Sequence, residues 1–124
     1  MPEGDSILIV DDEQLVLDVA CAMVKQIGYR PIPVLTGGEA LNTLASQGNE
    51  ICCILLDLAM PGMDGRQCLK EIRRLYPDVR VLLASGYHEE QAAAMFLPDE
   101  SPDGYIKKPF IVAALGEKIA ALLG

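Results

Sequence analysis

The chain has 124 residues, about half of them apolar, and its 18 acidic and 10 basic side chains give a net charge of −8. This length fits one domain with a single core. The excess of carboxylates disfavours direct binding to nucleic acid, whose phosphates are held mainly by Lys and Arg. Because the chain contains only one histidine, metal sites built from several histidines and Ser-His-Asp catalysis are nearly excluded.

The sequence carries no signal for a membrane or an oxidising compartment. No apolar run reaches the roughly 18 residues of a membrane span, and the N-terminus lacks a secretion signal pattern. We therefore expect a cytoplasmic protein without membrane insertion. The four cysteines have apolar neighbours and no CxxC spacing, which predicts reduced core residues. Adjacent Cys52 and Cys53 are expected on opposite faces of a strand, so a bond between them is disfavoured.

The pattern along the chain predicts five strands that alternate with five helices. Residues 1–5 are polar and predicted to be flexible, and residues 6–124 form the folded domain. In chain order, the predicted elements are a strand at 6–10, a helix at 13–27, a strand at 29–35, a helix at 39–47, a strand at 51–56, a helix at 66–76, a strand at 79–84, a helix at 89–97, a strand at 105–107 and a helix at 111–123.

Particular residues mark the ends of the predicted helices and the position of the second strand. Gly28 stands where a left-handed residue would end the first helix. Pro31 and Pro33 each remove a ladder donor from the second strand, so this strand is expected at an edge of the sheet or to be irregular. Thr36 and Glu39 have the spacing of a capping box at the start of the second helix.

Strand–helix alternation predicts one α/β domain. Parallel strands need crossover connections, and helices in those connections cover both faces of the sheet. The expected fold is flavodoxin-like, (βα)5, with a five-stranded parallel sheet of order 2-1-3-4-5. The third strand, an unbroken apolar run at residues 51–56, should be buried on both faces.

Polar residues follow the strands at the edge where such sheets bind ligands. Asp57 follows the third strand and precedes an immediate turn through Pro61, Gly62 and Gly65. In the expected order the first and third strands are neighbours, so Asp11 and Asp12 should converge with Asp57. Three adjacent carboxylates repel one another unless a cation intervenes, and Mg²⁺ suits such oxygen ligands.

Each of these residues also has an ordinary structural explanation. Asp57 could cap its turn, and Asp11 or Asp12 could cap the first helix. Ser85, after the fourth strand, could be a turn hydroxyl, and Lys108, after the fifth, a solvated charge. Their joint occurrence at matching strand ends favours a functional site.

The chain resembles the receiver domain of response regulators in two-component signalling. The resemblance covers nearly the whole chain and depends on the segments 11–13, 57–65 (with Met60-Pro61-Gly62-Met63-Asp64-Gly65), 85–86 and 108–110. It implies a single domain that accepts a phosphoryl group from a histidine kinase or a histidine phosphotransfer protein.

The resemblance also implies a role for each site residue. Asp57 would be the phosphoacceptor, and Ser85 and Lys108 would hold phosphoryl oxygens. Ser85 and Tyr105 would form the switch that alters the face of the fourth helix, fifth strand and fifth helix, and the Lys108–Pro109 bond would be cis. The Mg²⁺ ligands would be Asp11 (through water), Asp12, Asp57 and the Ala59 carbonyl.

Three departures from the family pattern have consequences. The loop at residues 97–104 replaces a compact turn, so the fourth helix should end early or irregularly. Ala59 cannot orient an attacking water, and Tyr87 is bulky enough to shade the site. We therefore expect comparatively slow loss of phosphate.

Other functions remain open from sequence. One alternative is a receiver-like interaction module that works without phosphorylation. A flavodoxin-like cofactor binder is disfavoured because two acids stand where a phosphate loop would be. A haloacid-type aspartyl phosphatase needs a second acid two residues after its nucleophile, and Ala59 occupies that position. The stretches around Ser85 and Lys108 resemble receivers of hybrid sensor kinases.

Overall fold

The computed structural model describes residues 4–60 and 64–124. Pro61, Gly62 and Met63 of the predicted turn, and residues 1–3 of the predicted flexible N-terminus, lie outside the described residues. Within these residues, five strands alternate with five α-helices: β1 (Ser6–Val10), α1 (Gln14–Ile27), β2 (Arg30–Val34), α2 (Gly37–Gln47), β3 (Ile51–Asp57), α3 (Gly65–Leu75), β4 (Val81–Ser85), α4 (Glu89–Ala93), β5 (Gly104–Lys107) and α5 (Val112–Leu123).

The strands form one parallel sheet in the order β2-β1-β3-β4-β5. The predicted fold and strand order are therefore confirmed, and β2 with its two prolines is an edge strand. β3 is buried along its whole length, as its apolar run predicts. Within the described ranges, no helix combines the length and apolar character needed to cross a membrane.

Two apolar clusters fill the two sides of the sheet. α2 and α3 pack on one side through residues such as Leu44, Leu69 and Ile72. α1 and α5 pack on the other side through residues such as Leu17 and Ile119. Burial of these side chains is the main stabilising contribution, at about 25 cal/mol per Å² of apolar surface removed from water.

The predicted helix ends are largely confirmed. Gly28 ends α1 in the left-handed region at φ 118°. The Thr36 hydroxyl accepts the Glu39 N–H at 3.0 Å, so α2 begins at Gly37, two residues earlier than predicted. The reciprocal bond of the capping box is not formed, because the Glu39 carboxylate accepts the N–H of Leu35 at 2.8 Å instead.

Two elements are shorter than predicted. β4 begins at Val81 because the N–H of Val79 donates to the carbonyl of Tyr76, which makes a turn. α4 ends at Ala93, four residues before the predicted Leu97, and is followed by a turn and a 3-10 helix at Pro98–Glu100. The expectation that the loop at residues 97–104 makes this helix end early is therefore confirmed. Proline disfavours helical backbone at the residue before it. Because Pro98 follows Leu97, the predicted helix does not reach Leu97.

The cysteine predictions are only partly confirmed. All four thiols are free, and three of them are buried, whereas Cys21 is only half-buried. Cys52 and Cys53 were expected on opposite faces but pack in the same apolar cluster. The cause is a register shift opposite Ser6 and Ile7, where β3 has an extra residue.

Candidate functional site

The polar residues predicted to meet do lie at one edge of the sheet. Asp57 is the last residue of β3, and Ser85 is the last residue of β4. Asp11 follows β1, the neighbour of β3, and Lys108 follows β5. Parallel strands bring these carboxyl ends together, so residues distant in sequence share one small pocket.

Lys108 bridges two of the carboxylates. Its Nζ atom lies 3.1 Å from Oδ1 of Asp57 and 3.2 Å from Oδ2 of Asp11. Its side chain is 24% exposed, while those of the two acids are about 5% exposed. The interpretation of Lys108 as a solvated surface charge is therefore wrong.

The electrostatics of the pocket follow from burial and from these contacts. Burial raises the pKa of the Asp57 carboxyl above its ordinary value, with Lys108 opposing this effect and Asp11 adding to it. Burial alone would lower the pKa of Lys108, but the carboxylates of Asp57 and Asp11 outweigh it and raise that pKa. The backbone N–H of Ala59 acts on the pKa of Asp57 in the same direction as Lys108.

Neither Asp11 nor Asp12 caps α1. The N-cap residue is Glu13, and its side chain makes no capping hydrogen bond. Asp11 is buried, and its Oδ1 accepts the N–H of Glu13 at 3.0 Å. Asp12 is exposed. The explanation of Asp11 and Asp12 as caps of α1 is thus wrong.

The donor set of the pocket fits a hard divalent cation. Carboxylate oxygens of Asp11, Asp12 and Asp57 all lie within 4.8 Å of one another. Oxygen ligands from one or two carboxylates, completed by water, are what Mg²⁺ takes in proteins. The Ala59 carbonyl as a further ligand stays a prediction.

The Ser85 hydroxyl is engaged within its own turn. Its Oγ accepts the N–H of Tyr87 at 3.2 Å and donates to the Tyr87 carbonyl at 3.4 Å. Ser85 itself is 5% exposed, and its main-chain carbonyl accepts the N–H of Lys108 at 2.7 Å. Ser85 therefore lies at the edge of the pocket that Asp11, Asp57 and Lys108 form, and its backbone holds the backbone of Lys108 where the chain leaves β5.

Tyr105 is half-buried beside a cavity that also reaches Ser85. The cavity has a volume of about 390 Å³ and lies between the start of α4, β5 and α5. Burial raises the pKa of the Tyr105 phenol, and Glu89 adds to the shift. Tyr105 and Ser85 thus line the same cavity.

Ala59 and Tyr87 line a common groove. It has a volume of about 440 Å³ and is also lined by Leu58, Met60, Asp64, Arg66 and Met95. Tyr87 is 50% exposed.

The Lys108–Pro109 bond is cis, as the resemblance implies.

One feature of the site went unnoticed in the sequence. An apolar groove of about 490 Å³ runs along α1 and reaches Lys108, Pro109 and Phe110. Leu15 and Val19 in this groove are 80% and 55% exposed. Their spacing of four residues, which places both on one helix face, was the signal that could have revealed it.

Comparison with known proteins identifies the family. The model of the family described as the response regulator receiver domain matches residues 7–120. The chain therefore belongs to this family, and it is a receiver domain of two-component signalling.

Three relatives illustrate the match. The chain is 32% identical over 118 residues to the sensor kinase CckA of Brucella abortus, covering 95% of this chain and 12% of the kinase. It is 32% identical over 117 residues to the response regulator SaeR of Staphylococcus aureus, covering 94% of this chain and half of that protein. It also superposes, with a TM-score of 0.86 and 25% identity, on a chain of the crystal structure of the CheX–CheY–BeF3–Mg²⁺ complex from Borrelia burgdorferi, covering 96% of this chain and 89% of that chain.

Proposed function

We propose that this receiver domain is a phosphoacceptor whose Asp57 takes a phosphoryl group from a phosphohistidine in a Mg²⁺-dependent reaction. The observation that carries the proposal is the position of the Lys108 ammonium, within 3.2 Å of both Asp11 and Asp57. A buried carboxylate beside a fixed positive charge has the parts that phosphoryl transfer needs, namely alignment and charge neutralisation.

The reaction balances with the groups present. A carboxylate oxygen of Asp57 attacks the phosphorus, the P–N bond breaks, and its electron pair stays on the imidazole of the donor. Lys108 neutralises charge on the transferred phosphoryl oxygens. Its bond to Oδ1 of Asp57 also holds that carboxylate in place.

The acidic residues supply the proposed metal site. Asp12 and Asp57 would bind Mg²⁺ directly, Asp11 through water, and Ala59 through its carbonyl. The ion, when bound, neutralises phosphoryl charge and orients the group for transfer. The relative from Borrelia burgdorferi was crystallised with Mg²⁺ and BeF3, which supports this assignment.

Ser85 and Tyr105 are the proposed switch. A phosphoryl group on Asp57 would compete with the Tyr87 backbone for the Ser85 hydroxyl, which now bonds that backbone. Movement of Ser85 towards the phosphoryl group would change the space available to the Tyr105 ring. Phosphorylation would thereby bias two arrangements of α4, β5 and α5.

The proposed phosphodonor is a histidine kinase or a histidine phosphotransfer protein. The apolar groove along α1 ends at Lys108, so a helix docked there could present its histidine to the acidic pocket. Leu15 and Val19, which are well exposed, would bury apolar surface in that complex. We place the domain at residues 6–124, after a flexible segment at 1–5, and assign it to the cytoplasm as a signalling domain rather than an enzyme.

Beryllofluoride, which has the charge and tetrahedral shape of a phosphoryl group, provides a test. With Mg²⁺ present at saturating concentration, we expect it to raise the melting temperature by about 4 °C or more. Asp57→Asn should abolish the shift, and Asp78→Asn, which changes an exposed acid elsewhere, should preserve it. A shift of the same size in Asp57→Asn would contradict the proposal.

A further inference from the structure

Arg66 lies in the groove that Ala59 and Tyr87 line, which we call the side groove. Its side chain is exposed, and within the described residues it forms no ion pair. Lys108, by contrast, is held within 3.2 Å of two carboxylates. The Arg66 guanidinium is therefore available to an anion that enters the side groove.

The close approach of α3 to β3 brings Arg66 next to the proposed phosphoacceptor. The N–H of Gly65 donates to the Leu58 carbonyl at 2.8 Å. A Cβ atom on Gly65 would overlap the main-chain carbonyl of Asp57, so only glycine permits this contact. Arg66, the next residue, is thus carried beside the strand end at which Asp57 lies.

The first turn of α3 is fixed by its own capping box. Oδ1 of Asp64 accepts the N–H of Gln67 at 2.9 Å, and Oε1 of Gln67 accepts the N–H of Asp64 at 3.2 Å. Asp64 also lines the side groove, but this bond engages its carboxylate with the helix backbone. The capping box therefore holds the backbone of Arg66 in place and leaves the guanidinium free to bind an anion.

The other walls of the side groove are largely apolar. Leu58 and Met60 are buried, and Met95 packs against the core. With a volume of about 440 Å³, the side groove falls in the range of about 300–1,000 Å³ in which pockets hold small organic ligands. A guanidinium can bind a carboxylate through two parallel hydrogen bonds. Apolar walls with one such cation suit a small organic acid.

We propose that Arg66 is a specificity-determining residue that favours phosphodonors with a carboxylate leaving group, that is, small acyl phosphates. The side groove would receive the acyl group, and the Arg66 guanidinium would bind the carboxylate as it leaves. This inference rests on the proposed function, because the phosphoryl group goes to Asp57. It adds a class of donor, and the residue that selects it, to the proposed histidine donors.

The transfer balances without a further reactant. A carboxylate oxygen of Asp57 attacks the phosphorus, the bond from phosphorus to the acyl oxygen breaks, and its electron pair stays on the released carboxylate. Negative charge therefore grows on the leaving group in the transition state, where a fixed cation stabilises it most. Phosphoramidate instead releases neutral ammonia, so Arg66 gives little help with that donor.

The test compares the second-order rate constants for acetyl phosphate and phosphoramidate, measured by intact mass in saturating Mg²⁺ at one ionic strength. We expect Arg66→Gln to lower the rate constant for acetyl phosphate about fivefold and to leave that for phosphoramidate within about twofold. Arg66→Lys, which keeps the positive charge, should restore most of the loss. The phosphoramidate reaction also shows that each variant is folded and has a working Asp57 site.

Lys70→Gln is the matched control. Lys70 is an exposed cation one turn further along α3 and is not among the described residues that line the side groove, so both rate constants should stay within about twofold. An unchanged ratio of the two rate constants in Arg66→Gln, an equal fall with both donors, or the same change in Lys70→Gln would overturn this inference and leave Asp57 as the phosphoacceptor. No adduct in the wild type with either donor would overturn the proposed function, and this inference with it.

Discussion

Replacing Arg73 with methionine should destabilise the domain by about 3 kcal/mol. Arg73 lies on α3, but all three of its hydrogen-bonding partners lie elsewhere, on the turn before β4 and the loop before β5. Its side chain is 13% exposed, and that of Asp103 is 26% exposed. The network therefore joins three separate parts of the chain in a place where water cannot fully replace a lost donor.

The magnitude follows from the contacts that the substitution removes. A hydrogen bond to a charged group contributes about 1.5–3 kcal/mol, and one between a side chain and a backbone carbonyl about 1 kcal/mol. Arg73 makes one bond to a carboxylate and two to carbonyls. The sum is discounted because Asp103 keeps some water and still accepts the N–H of Val81 at 2.8 Å.

Urea denaturation followed by circular dichroism measures the effect, with Arg80→Met as the matched control. Arg80 reaches the same carboxylate at 3.8 Å but is 54% exposed, so its loss should cost about 0.5 kcal/mol or less. A double-mutant cycle of Arg73→Met with Asp103→Asn should give a coupling free energy of at least about 1 kcal/mol. If Arg73→Met cost no more than Arg80→Met, the reasoning from burial and hydrogen bonding would be refuted.

Three further predictions concern the pocket and the core. Ala59→Asn and Tyr87→Ala should each shorten the lifetime of the aspartyl phosphate, measured by loss of the phosphoryl mass after the donor is removed; unchanged lifetimes in both variants would contradict the idea that these side chains slow hydrolysis. Mg²⁺ at ten times its dissociation constant should add about 1.4 kcal/mol to the free energy of unfolding, and Asp12→Asn should lose this gain without destabilising the metal-free protein, because Asp12 is exposed. Burial raises the pKa of Cys53 to about 12 and that of Cys68 to about 11, so in the native protein at about pH 8 iodoacetamide should label only half-buried Cys21, and mapping of label on Cys53 or Cys68 would count against that burial.

Local patterns were enough to predict the fold. The unbroken apolar run of β3, the prolines of β2 and the helical spacing in α1 each indicate one element, and together they permit few topologies. Once the strand order follows, so does the meeting of Asp11, Asp57, Ser85 and Lys108 at one edge. The topology places these residues at the carboxyl edge of the sheet, so they could be named from the sequence.

Features that depend on long-range contacts could not be predicted in this way. The pairing of Arg73 with Asp103 joins residues 30 positions apart, and no local pattern marks either side chain. The bulge that turns Cys52 to the same side as Cys53 arises from pairing between β1 and β3. The hydrogen bonds between the Ser85 hydroxyl and the Tyr87 backbone likewise depend on the geometry of the turn after β4, which the identities of these two residues do not specify.

Intact mass after incubation with acetyl phosphate tests the central proposal most directly. We expect the wild-type domain to gain one phosphoryl group in Mg²⁺, to lose it in hydroxylamine as an acyl phosphate does, and to gain none with EDTA. Asp57→Ala should gain none under any of these conditions, while Asp78→Ala should behave as the wild type. A phosphoryl adduct of the same yield in Asp57→Ala, or no adduct in a folded wild-type domain even with a phosphorylated histidine donor, would contradict the assignment of Asp57 as the phosphoacceptor.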